Sequence, residues 1–178
     1  MLIFLIGQSG SGKSYWAKQL SSVPGFSALD MDELISRKLA QPIIDVFKEK
    51  GESFFREKER ETLHKIISEH GSKDMVVVAT GGGAPCYADN MKLMLENGVV
   101  IYLQATVALL AERLKHATDR PLLAEEYENL PEILQKQLNE RKDIYQQAHY
   151  KIDITTATSA TFTAVILSAQ NQNNLRYV

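Results

Sequence analysis

The sequence predicts an α/β fold in which a parallel sheet carries helices on both faces. Three observations predict it. Five short strand-like runs alternate with segments of helical period. One of them, Met75-Val76-Val77-Val78-Ala79, is apolar at every position, as a strand buried on both faces requires. The first, Leu2 to Ile6, passes straight into a glycine-rich turn and then a helical segment, the strand–loop–helix unit of such sheets.

In chain order, the strand at Leu2 to Ile6 is followed by Gly7-Gln8-Ser9-Gly10-Ser11-Gly12-Lys13-Ser14 and a helix from Tyr15 to Leu20. Phe26 to Leu29 is a second short strand, ending at Asp30-Met31-Asp32-Glu33, where carboxylates suit the start of a helix. Pro42 opens a further helix, because proline is tolerated at the first helical position. Gly51 precedes a long charged helical segment to about His70. The apolar strand from Met75 ends at Gly81-Gly82-Gly83; a helix from about Ala88 to Glu96 leads to Gly98 and the strand Val99 to Leu103. Thr106 caps a helix whose apolar positions Val107, Leu110, Ala111 and Leu114 recur with helical spacing. Residues His116 to Tyr127, with Pro121 inside, break the pattern as a mobile loop over a site does. A helix from Pro131 to about Gln147, a strand from Tyr150 to Ile154 and a helix from Phe162 to Ala169 complete the order, and the polar tail from Asn171 is expected to fray.

The glycine-rich turn has the spacing of a P-loop, in which backbone N–H groups and a helix N-terminus surround phosphates. Lys13 offers a mobile cation to the β/γ-phosphates and Ser14 a hydroxyl to Mg²⁺.

Length and composition set bounds. At 178 residues the chain fits one globular domain, and a net charge of −2 gives no general attraction to nucleic acid or anionic membrane. Cys86 stands alone, so no internal disulfide forms; it reads as a buried small hydrophobe, and a cytoplasmic setting is expected. Nothing approaches the ~20 apolar residues of a membrane span.

Other P-loop classes fit poorly. The strand from Met75 ends without the acidic residue of a motor ATPase, and no Asn-Lys-x-Asp tetrapeptide marks a guanine site. Asp30, at the ligand-binding edge of the sheet, can replace the missing acid, and Asp32 can serve an acceptor; alternatively both cap the helix that follows. Arg56, Arg120 and Arg141 each stand beside acids, where a solvated ion pair is the ordinary reading. Arg120 lies in the segment that looks like a lid, within reach of a transferring phosphate. For Gly81 to Gly83, the functional reading is that only glycine lets the backbone come close to a ligand.

Taken together, Gly7-x-x-Gly10-x-Gly12-Lys13-Ser14, Asp30-x-Asp32, Phe55-Arg56-x-x-Glu59, Gly81-Gly82-Gly83, Arg120-Pro121-Leu122-Leu123 and Arg141 resemble the ordered motif set of the shikimate kinase family, over residues 2 to about 154. The resemblance implies a single P-loop kinase domain: a three-layer sandwich with a five-stranded parallel sheet, a small acceptor-binding insertion around residues 31–61 and a mobile lid around 115–126. It implies phosphorylation of shikimate by ATP to 3-phosphoshikimate, in the route to chorismate and the aromatic amino acids, by a monomer. By the same matching, Asp32 holds the ring hydroxyls, Arg56 and Arg141 the carboxylate, and Gly81, Gly82 and Gly83 contact the acceptor through backbone amides. Lys13 and Arg120 hold the transferring phosphate, with Asp32 as the further catalytic residue. Gly10, Ser11, Gly12, Lys13, Ser14 and Tyr15 surround the nucleotide, Arg113 lies near the base, and Asp153 stands in the base loop. Ser14 binds Mg²⁺ directly and Asp30 through water.

Tyr15 departs from the family, which usually has a small hydroxyl residue there. The rival enzyme is a kinase of the same fold for gluconate or another small hydroxy acid. A nucleotide-sensing protein that has lost transfer is the rival outside enzymes, against which the full set Lys13, Asp30, Asp32 and Arg120 speaks. Trp16 is expected in the core, and the histidines at the surface or partly packed.

Overall fold

The structure is a computed structural model that describes residues 1–70, 75–115 and 129–175. The chain runs β1 (Leu2–Ile6), α1 (Lys13–Leu20), β2 (Phe26–Asp30), α2 (Met31–Leu39), α3 (Ile43–Glu69), β3 (Met75–Ala79), a 3-10 turn (Ala84–Cys86), α4 (Asn90–Asn97), β4 (Gly98–Gln104), α5 (Val107–Lys115), α6 (Leu130–Tyr145), β5 (Tyr150–Asp153) and α7 (Ser159–Leu175). All five strands are parallel, in the order β2-β3-β1-β4-β5. β1 is central, with Leu5 opposite both Ala79 and Ile101, so the loop that leaves it lies between the ends of β3 and β4. This is the crevice at the carboxyl edge where α/β sheets bind ligands.

Strand alternation divides the core into two layers. Leu2, Phe4 and Ile6 face one way with Val76, Val78 and Val100, covered by Met31, Leu63, Met94 and Tyr145 from α2, α3, α4 and α6. Ile3 and Leu5 face the other way with Val77, Ile101 and Ile152, covered by Ala17 and Leu20 of α1 and by Phe162 and Ile166 of α7. Burial on both faces explains why β1 and β3 read as continuous apolar runs.

Helix α3 is broken at Gly51, whose φ of 77° a side chain would resist. Pro42 occupies the cap position just before the helix. Val46, ahead of the break, meets Ile35 of α2 and Phe55 beyond it in a small separate core. Within residues 31–61, α2 and the first part of α3 thus share a small apolar core of their own.

Several expectations need correction. α4 begins at Asn90, because Ala88 takes a left-handed φ of 49° that interrupts a helix. α7 starts three residues early and continues through the polar stretch to Leu175, where fraying was expected. Trp16 is half-buried, its ring 4.6 Å from that of Phe162 on the outer layer. Cys86 is half-buried in the 3-10 turn. His149 is surface-exposed, yet its Nδ1 accepts a hydrogen bond from the Val100 amide at 3.0 Å. The predicted lid lies outside the described residues apart from Lys115, which ends α5. Among the described residues, no helix is long and apolar enough to cross a membrane.

Candidate active site

The glycine-rich loop emerges from β1 and closes on the N-terminus of α1. Gly12 caps that helix with a φ of 91°, turning the amides that follow toward the cleft. Lys13 is buried, and its ammonium donates to the carbonyl oxygens of Gly7 and Gln8, both at 2.8 Å. The loop and the strand that leads into it are tied down at three points. Gln8 Nε2 donates to the Leu134 carbonyl of α6 at 2.8 Å, and Thr80 Oγ1 donates to the Leu5 carbonyl at 3.0 Å. Arg113 of α5 donates to the Gly10 carbonyl at 3.2 Å. A cleft of about 490 Å³ opens over the loop, with Gly12, Lys13, Ser14 and Arg113 on one wall and Asp32, Gly81 and Gly82 on the other.

Asp30 ends β2 and caps α2, its Oδ1 accepting from the amides of Asp32 at 3.0 Å and Glu33 at 3.3 Å. The capping alternative is thus correct as far as that oxygen goes. The cap also fixes the first turn that carries Asp32 into the cleft. Asp30 and Ser14 further share a shallower depression beside it.

Arg56 and Glu59 stand one turn apart on α3 and form an ion pair; Arg56 also bonds Glu52 at 2.9 Å. Glu59 is completely buried. Burial pushes its carboxyl up to about 7, against the pull of the Arg56 and Arg141 guanidinium groups and with the push of Asp32. Burial works against the charge of Arg56, but Glu59 and Glu52 outweigh it and hold its pKa above the usual value.

The three glycines receive these side chains. A Cβ on Gly81 would overlap Glu59 Oε1 and stand 3.4 Å from Asp32 Oδ1, and a Cβ on Gly83 would fall inside the Arg56 guanidinium. Gly82 lies over the P-loop, its missing Cβ 3.3 Å from the Ser9 amide nitrogen. The glycines were expected to admit a ligand to backbone amides; the structure shows them making room for the side chains of Glu59, Asp32 and Arg56. Gly83 has a φ of −86°, so space and not conformation selects the residue there.

One cleft therefore joins a phosphate loop to a carboxylate and a glycine turn with a half-buried guanidinium behind it. The family model for shikimate kinase matches residues 9–170. The chain belongs to the shikimate kinase family. A shikimate kinase from Sulfurihydrogenibium sp. is 37% identical over 166 residues, covering 93% of this chain and 95% of that protein. One from Persephonella marina is 40% identical over 150 residues, covering 84% and 87%. The solved structure of shikimate kinase from Acinetobacter baumannii in complex with shikimate has a TM-score of 0.81 and 33% identity, covering 97% of this chain and 93% of that one.

For a shikimate kinase, most of the residues singled out in the sequence assemble. Gly10, Gly12, Lys13, Ser14, Tyr15, Asp32, Gly81, Gly82 and Arg113 all line the one cleft. Ser11 is fully buried under the loop. Arg56 packs against Gly83 outside the residues that line the cleft, and Arg141 is close enough to Glu59 to influence its ionisation. Tyr15 is 59% exposed at the cleft margin. The exposed Asp153 accepts from the Thr155 amide at 2.9 Å and hydroxyl at 2.7 Å, which lowers its pKa; its neighbour Ile154 reaches the cleft. Arg120 lies outside the described residues.

Sequence reasoning assigned no role to Glu59, although it stands in the Phe55-Arg56-x-x-Glu59 motif. Its spacing from Arg56 was the available signal; its burial was not visible.

Proposed function

We propose that the chain works as a shikimate kinase through the residues gathered in this cleft, transferring the γ-phosphoryl group of ATP to a shikimate hydroxyl and releasing ADP and 3-phosphoshikimate. The observation that carries the assignment of roles is the joint lining of one cleft by Lys13 and Asp32, with the Arg56–Glu59 pair seated against its glycine wall. Arg56 and Arg141 recognise the acceptor carboxylate, for which a guanidinium offers paired, planar donors. Asp32 accepts hydrogen bonds from ring hydroxyls and orients the attacking oxygen, positioning being the larger need when the transition state is loose. Lys13 moves from loop carbonyls to the β/γ-phosphate oxygens. Arg113, anchored on Gly10, borders the nucleotide.

Ser14 and Asp30 line one depression, and the Asp30 cap engages Oδ1 alone. That set suits Mg²⁺, a hard ion held by few protein oxygens together with water and substrate phosphates. Bound there, the ion would balance charge on the β- and γ-phosphates. The assignment of Arg120 to the transferring phosphate rests on the sequence resemblance. A cytoplasmic monomer is part of this reading, testable by light scattering.

The experiment is ADP release from MgATP with shikimate, gluconate, quinate and AMP as separate acceptors. Turnover with shikimate alone is expected. Turnover only with gluconate would reassign Asp32 and the arginines, and shikimate binding without ADP release would favour the binding-protein alternative.

A further inference from the structure

The strand order sets how a nucleotide lies across the cleft. Asp32, Gly81 and Gly82 follow β2 and β3 on one side of β1, whereas Arg113 and Ile154 follow β4 and β5 on the other, with the P-loop between them. A γ-phosphate aimed at the acceptor therefore directs the rest of ATP toward the β4–β5 side.

Trp16 stands on that side. Its indole lines the cleft and is only half-buried. It rests on the completely buried ring of Phe162 in α7, 4.6 Å away and tilted by 34°, which gives it a firm backing. Tyr15 meets it edge-on, with ring centroids 5.2 Å apart and planes at 77°. The pyrrole edge looks over the phosphate loop: a Cβ on Gly12 would stand 3.5 Å from Trp16 Cδ1, 3.8 Å from its Nε1 and 3.7 Å from the Arg113 guanidinium. That guanidinium is held by the Gly10 carbonyl at 3.2 Å. An aromatic plane and a planar cation thus border the same point over Gly12. A packed indole N–H ordinarily finds an acceptor, yet among the described residues Trp16 Nε1 donates to none. Packing on Phe162 alone would not require that edge to face the loop.

We infer that Trp16 is a binding residue for the nucleoside of ATP, whose base rests against the indole beside Arg113. The inference rests on the reading of the cleft as the ATP site.

Trp16 is the chain's only tryptophan, so selectively excited fluorescence reports on it alone. MgADP is expected to shift or quench that emission; magnesium tripolyphosphate, which offers the phosphates without a nucleoside, is expected to leave it nearly unchanged. Calorimetry under the same conditions measures binding itself. MgADP binding without a change in emission overturns the inference, as does an equal change with tripolyphosphate. No MgADP binding at all would overturn the reading of the cleft as an ATP site, and the inference with it. The second arm is Trp16→Leu, which keeps an apolar side chain against Phe162 and removes the indole plane. KM for MgATP is expected to rise roughly 5- to 100-fold, the range for losing one base–aromatic contact, while KM for shikimate stays within about twofold. An unchanged KM for MgATP overturns the inference. Equal rises for both substrates also overturn it, since they would show general damage to the cleft. The fluorescence arm uses the unaltered protein, so it decides the matter should Trp16→Leu not fold.

Discussion

Glu59 is sealed from solvent, yet its carboxylate pairs with Arg56 one helical turn away and presses against Gly81. A buried ion pair of this kind adds little net stability, but removing one partner strands the other charge. Glu59→Ala is therefore expected to destabilise the fold by about 3–5 kcal/mol, read from urea unfolding, and to raise KM for shikimate with MgATP little affected. A surface-like loss under ~1 kcal/mol would contradict the burial.

Coupling between the two residues is measurable. Arg56→Ala alone is expected to weaken shikimate binding by roughly 10- to 100-fold, a loss of ~1.5–3 kcal/mol, with nucleotide affinity kept. It also leaves Glu59 buried without its main counter-charge. The double variant Arg56→Ala/Glu59→Ala should lose at least ~1 kcal/mol less stability than the two single losses together. Strict additivity would mean that the pair does not act as a unit.

The Glu59 carboxyl also predicts a pH dependence. Its folded pKa, about 7, lies above the ordinary 4.5. Between those values the folded chain binds more protons at this site than the unfolded chain does, so this contribution to stability declines as pH rises from 4.5 to 7 and levels off above. Glu59→Gln should flatten that part of the stability profile. Acceptor affinity is expected to run the other way: protonation below about 7 releases Arg56 from its partner, so KM for shikimate rises as pH falls. A KM profile identical in wild type and Glu59→Gln would refute this.

Gly83→Ala places a methyl in the space of the Arg56 guanidinium. The expected outcome is a rise in shikimate KM of tenfold or more, on the order of 1.4 kcal/mol, and an unchanged KM for MgATP. Equal effects on both substrates would mean that the turn itself had shifted.

Lys13→Met keeps the length of the side chain and removes its charge. With a charge-stabilising donor lost from the transferring phosphate, kcat should fall by roughly 10²- to 10³-fold. Tight nucleotide binding with near-normal kcat would exclude Lys13 from the transition state.

Local signals account for the parts of this molecule that were legible in its sequence. The P-loop spacing, the all-apolar β3 and the Asp30–Asp32 pair each identify themselves within a few residues, and all three fall at the predicted edge. The role of Glu59 was hidden because an arginine three residues from a glutamate reads as a solvated pair, and only tertiary packing tells a sealed carboxylate from an exposed one. The same limit hid the contact between Tyr145 and Gly82, which are 63 residues apart. At Gly81 to Gly83 the need for space was readable, but the side chains that fill it come from α2 and α3, far away in the chain. The end of α7 was misjudged because polar composition suggested a frayed tail where the helix continues.

The anchoring of Lys13 on the carbonyls of Gly7 and Gln8 has a consequence for how quickly the site can fill. An ammonium in bulk water must shed a tight hydration shell before it can grip a phosphate. Here backbone oxygens already stand in for part of that shell, so that, on the role proposed for Lys13, an incoming γ-phosphate would exchange one set of oxygens for another. Nucleotide capture would then resemble ligand substitution at a preformed cation more than the drying of a wet one, with the loop carbonyls placed to take the lysine back when ADP departs.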